Sequence, residues 1–152
     1  MDTQNRRLLW HGMALFLLGL LTGFVEPRFA NMRMGLAAHL EGVMNGTFLL
    51  ALGAGWTHVR LSPRLKTTTF WLALFGTYAN WLVTTLAAVF GTVALSPITA
   101  AGRAPADHLK ESVVTFGFTL VGPAIVATAI LLLFGFRARA TEPTPKSQSQ
   151  HA

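Results

Sequence analysis

His39, Glu41 and Asn45 fall within seven residues in the run MGLAAHLEGVMNGTFLLALGAGW, residues 34–56. The run is apolar enough to cross a membrane, where a charged group at mid-bilayer costs roughly 2.5–3.5 kcal/mol on insertion scales. Ionisable side chains so placed usually face a partner, a cavity or a bound ion, so this segment is the first place to look for chemistry. On a helix advancing about 100° per residue, Gly35, His39, Gly42 and Gly46 form one strip, continued by Gly53. Such a strip has two uses. A neighbouring helix can pack closely on Gly42 and Gly46, or a planar cofactor can lie on the glycines with the His39 imidazole as axial ligand to haem iron. Periodicity alone leaves both open. Glu41 lies about 200° around the helix from His39, a position from which it can pair with another helix or subunit.

A second polar strip lies in residues 68–95, where Gly76, Asn80, Thr84, Ala87 and Gly91 recur at helical spacings between Tyr78 and Trp81. Asn80 and Thr84 serve either as interhelical hydrogen-bonding groups, worth on the order of 1 kcal/mol each, or with Asn45 as the polar lining of a pocket whose aromatic rim suits an arene. His11 is placed to hydrogen-bond a carbonyl, headgroup or cofactor edge, or to act as a second ligand. Arg28 and Arg33 share a side with His39, as ordinary interfacial arginines or as partners for haem propionates.

The elements that must position these residues follow from composition. Of 152 residues, 52% are hydrophobic and 12% charged, too apolar for an ordinary soluble domain of this length. Four apolar stretches, 8–25, 34–56, 68–95 and 112–136, each approach the roughly 20 residues that a spanning helix needs. The expectation is an all-α, integral-membrane four-helix bundle over residues 1–136, with a polar, disordered tail at 137–152. Residues 1–7 resemble the start of a signal sequence, but without a small-x-small cleavage site before Glu26-Pro27 the first stretch reads as a retained span. Gly122-Pro123 predicts a kink in the fourth span. The loop at 96–111 is the longest connection and a possible cap for the pocket.

The net charge of +6 marks orientation rather than a nucleic-acid partner. Arg6, Arg7, Arg60, Arg64, Lys66, Arg137, Arg139 and Lys146 fall on one side of a four-span topology, against Arg28, Arg33, Arg103 and Lys110 on the other. The positive-inside rule then puts both termini in the cytoplasm, for a bacterium in the inner membrane. There is no cysteine, which excludes disulfides and thiolate metal sites. P-loop, dinucleotide, serine-elbow and zinc signatures are also absent.

Ala38-His39 followed by Asn45-Gly46, the pair His11-Gly12, and Tyr78-Ala79-Asn80 occur in an order and on helices that resemble the small four-span family of styrene-oxide isomerases and hydroxylaminobenzene mutases. The resemblance covers most of residues 6–136. It implies a haem b near a subunit interface of a homotrimer, with His39 as the iron ligand and Gly42, Gly46 and Arg33 beside the cofactor. The ferric iron would act as a Lewis acid on a small aromatic substrate within membrane lipid. Asn45 and Asn80 would orient the substrate oxygen as donors, with Tyr78, Thr84 and Glu41 in the pocket.

Where this chain has Thr84, the styrene-oxide enzymes carry a tyrosine, and they lack an acid matching Glu41. The runs RRLLWHG and RMGLAAHLEGVMNG look closer to the hydroxylaminobenzene mutases. The first expectation is therefore an isomerase converting an arylhydroxylamine into a 2-aminophenol. The alternatives are an epoxide isomerase converting styrene oxide to phenylacetaldehyde, and a non-catalytic or electron-transfer b-type haem subunit.

Overall fold

A computed structural model describes residues 3–137. The expected polar tail lies outside them, apart from Arg137. The described chain is all helical: α1 (Thr3–Val25), α2 (Met32–Gly55), α3 (Pro63–Phe90) and α4 (His108–Arg137), with 3-10 turns at Glu26–Arg28 and Trp56–His58. Three segments are long and apolar enough to cross a membrane: α1 with its following turn, α3 and α4. The remaining expected stretch is also helical, as α2, with its apolar sequence interrupted by His39, Glu41 and Asn45.

Local signals set the ends. Asn31 caps α2 by accepting from the Met34 amide at 3.2 Å. Ser62 caps α3, with Pro63 at the first helical position, where its missing N–H costs nothing. Helix α3 stops at Phe90 rather than at residue 95, because Gly91 adopts φ +69° and returns its N–H to the Ala87 carbonyl. Helix α4 passes through Pro123 without ending.

Antiparallel α1 and α2 pack most closely, through the glycines. A Cβ on Gly12 would sit 2.7 Å from the Leu50 amide nitrogen, and one on Gly42 would collide with the Gly19 backbone. Helix α2 also packs on α3, and α3 on α4. At one end the core holds Leu8, Leu15, Leu49, Trp56 and Phe70, all essentially buried. There the Trp56 indole donates to Gln4 at 3.2 Å, and the Arg60 amide donates to the Gly135 carbonyl at 2.9 Å. Arg6, Arg7, Arg60, Arg64, Lys66 and Arg137 therefore gather at one end. Near the other end, Met34, Val83, Ala87, Ala88 and Val114 form a smaller core.

Candidate functional site

His39 points toward α1. Its ring Nδ1 lies 2.8 Å from the Gly19 carbonyl oxygen. A carbonyl can only accept, so Nδ1 carries a proton, and in the neutral tautomer with that proton the lone pair is on Nε2. Gly23 makes room for the ring: a Cβ there would come within 2.8 Å of Nδ1. The outer side of the ring faces a groove of about 400 Å³, lined by Leu20, Phe24 and Leu36 with Glu26 at its rim. Phe24 is 82% exposed, so the groove opens on the protein surface.

These residues fit a haem. They offer one imidazole with its second nitrogen already anchored, beside an apolar wall, and that anchoring sets both tautomer and ring direction in metal-binding histidines. Among the described residues no group of three or more His, Asp or Glu could hold a bare metal ion. Gly42 and Gly46 take the packing option instead, since both lie against the α1 backbone at Gly19 and Phe16. Nor does Arg33 join His39. It lines a separate cavity with Asn31, Thr99 and Arg103.

Glu41, on another face of α2, meets α3. Its Oε2 accepts from the Asn45 amide nitrogen at 3.3 Å, one helical turn on, and from the Asn80 amide nitrogen across the interface. The Asn45 nitrogen also donates to the Thr77 carbonyl at 3.4 Å. The three side chains form one network, although Asn45 itself lines a neighbouring cleft with Thr77 and Thr128. Thr84 donates its hydroxyl to the Asn80 carbonyl at 2.8 Å. Glu41, Asn80 and Thr84 share a cavity of about 280 Å³, bounded by Met34, Phe118 and the loop at 95–99.

That loop, which the sequence offered as a cap without fixing its contacts, lines the cavity with residues 95–99. Leu95 turns it back with φ +56°, an uncommon conformation for a branched residue. The Glu111 carboxylate then anchors it, accepting from the Val93, Ala94 and Ala106 amides at 2.9 Å each. Asn31 adds a bond from its amide nitrogen to the Thr99 carbonyl at 3.1 Å. The available signal was a carboxylate beside a Pro- and Gly-containing connection, which does not say which amides it would bind.

Tyr78 does not enter this cavity. Two residues from Asn80 is about 200° around a helix, and Tyr78 packs on α1, donating to the His11 carbonyl at 3.2 Å. The His11 ring nitrogen is 3.3 Å from the same hydroxyl. His11 thus bonds a side chain and lies apart from His39. The His39 groove and the Glu41 cavity share no lining residue.

The family model described as styrene oxide isomerase matches residues 4–137. The chain is 43% identical over 150 residues to hydroxylaminobenzene mutase HabB of Ectopseudomonas oleovorans, covering 97% of this chain and 92% of that protein. It is 48% identical over 125 residues to hydroxylaminobenzene mutase HabA of the same organism, covering 82% of this chain and 92% of the relative. No solved structure gives a significant match.

Proposed function

This chain belongs to the styrene oxide isomerase family and is an isomerase; on that premise we propose that it rearranges an arylhydroxylamine, hydroxylaminobenzene in the simplest case, into a 2-aminophenol. The observation that carries this reading is the 43% and 48% identity to two hydroxylaminobenzene mutases, each covered over 92% of its length. A polar cavity lined by Glu41, Asn80 and Thr84 supports it.

The reading places all four helices across a bacterial inner membrane, with the Arg6, Arg60 and Arg137 end in the cytoplasm. Helix α2 crosses with Glu41 and Asn45 satisfied by α3 rather than by lipid. His39 would hold haem b through Nε2. When bound, the ferric haem supplies a Lewis acid for charge developing on the departing oxygen. Because the His39 groove and the Glu41 cavity are separate, the reading requires neighbouring copies to unite them, as a homotrimer with haem near the subunit interface would.

The reaction breaks N–O, forms C–O at the adjacent ring carbon, and transfers the displaced ring proton to nitrogen, leaving the formula unchanged. Glu41, Asn80 and Thr84 hold the polar end of the substrate. Met34, Phe118 and the 95–99 loop line the space for the ring, and cover of this open face by lipid or a neighbouring copy would keep out the bulk water that captures a cationic intermediate.

The second reading, epoxide isomerisation, is favoured by the description of the matching family. Incubating haem-replete, detergent-purified protein separately with phenylhydroxylamine and styrene oxide tests the two. We expect 2-aminophenol from the first. Its absence, with phenylacetaldehyde formed from the second, would overturn the proposal.

A further inference from the structure

We propose that Glu41 sets the polarity of the cavity, making its wall a hydrogen-bond acceptor that selects aromatic ligands bearing N–H or O–H over those bearing only an acceptor oxygen. The inference rests on the cavity being the substrate site of the proposed rearrangement, and it reverses the donor role that the sequence suggested for the two asparagines.

The argument is a count of hydrogens. With Glu41 ionised, its carboxylate only accepts, so each amide that reaches Oε2 presents nitrogen, which fixes the orientation of both asparagines. Asn45 spends its two amide hydrogens on Glu41 and the Thr77 carbonyl. Asn80 spends one on Glu41. Thr84 spends its only hydrogen on the Asn80 carbonyl, and Thr99 directs its own toward the Met34 sulfur at 3.7 Å.

Among the described residues, nothing donates to Glu41 Oε1 or Asn80 Oδ1. Neither oxygen is sealed inside the protein. Among its side chains the lining therefore offers lone pairs on Glu41, Asn80 and Thr84 against two remaining donors, one Asn80 N–H and the Ser96 hydroxyl. A hydroxylamine, with an N–H and an O–H on adjacent atoms, complements such a wall. An epoxide has no hydrogen to give it, and its lone pairs face a carboxylate.

The test uses two ligands of nearly equal size, benzyl alcohol (one O–H donor) and benzaldehyde (acceptor only), in equilibrium dialysis with the haem-loaded protein. Wild type is expected to bind the alcohol about tenfold more tightly, the scale of one hydrogen bond to a charged group. In Glu41→Gln the fixed acceptor is gone and the asparagine amides are free to turn, so the preference falls below about threefold or reverses. A purely structural role would weaken both ligands alike and leave their ratio unchanged, and that result overturns the proposal. Equal binding by wild type does so too, and decides the matter even if the variant fails to assemble. Production of 2-aminophenol is scored separately: turnover without the preference refutes this inference alone, and the preference without turnover refutes the proposed function alone.

Discussion

The His39 imidazole donates from Nδ1 to the Gly19 carbonyl, 2.8 Å away on the facing helix, while the same residue lines the outer groove. Replacing His39 with Ala is predicted to abolish the haem Soret band and turnover together. Gly23→Ala is the finer probe, because its Cβ would press on the ring from 2.8 Å. Haem affinity should fall about 10- to 100-fold, the usual effect of disturbing the support of a metal ligand, as read by haem titration. Unchanged affinity would show that the ring does not depend on this seat.

The close approach of Gly42 to Gly19 should make this crossing intolerant of side chains. Gly42→Ala forces backbones apart, and overpacking of this kind costs about 1–3 kcal/mol. Thermal unfolding in detergent should show a lower midpoint. Gly122→Ala, where an added Cβ meets nothing within 4 Å, should leave the midpoint nearly unchanged and serves as the control.

Glu111 gathers the Val93, Ala94 and Ala106 amides. Glu111→Leu leaves these donors without their acceptor, at a cost on the order of 2 kcal/mol for hydrogen bonds to a charged group. Hydrogen exchange should quicken across residues 93–99, and turnover should drop as water enters the Glu41 cavity. Protection equal to wild type would mean that other contacts hold the loop.

Much of this was legible in the sequence where one helix settles the answer. The strip from Gly35 to Gly53 follows from a period of 3.6, and the four helices follow from apolar length. The partner of the strip was not legible, because choosing between α1 and a cofactor depends on how two helices rotate against each other. The same holds for Asn80 and Glu41, which are 39 residues apart in sequence and meet only because α3 packs on α2. Tyr78 was placed in the pocket as a flank of the Asn80 strip and through the family resemblance, although helical geometry sets it about 200° from Asn80. The end of α3 was hidden because Val93-Ala94-Leu95 continues the apolar run past Gly91. The long connection read as a cap for the pocket, and the folded loop shows that residues 95–99 are the part that lines it.

The most direct measurement is the oxygen isotope content of 2-aminophenol formed from phenylhydroxylamine by purified, haem-loaded protein in ¹⁸O-labelled water. An isomerase that moves the hydroxyl oxygen within one molecule should deliver the substrate's own oxygen to the ring, so the product stays unlabelled. Label incorporated from the solvent, or no 2-aminophenol at all, would contradict the account.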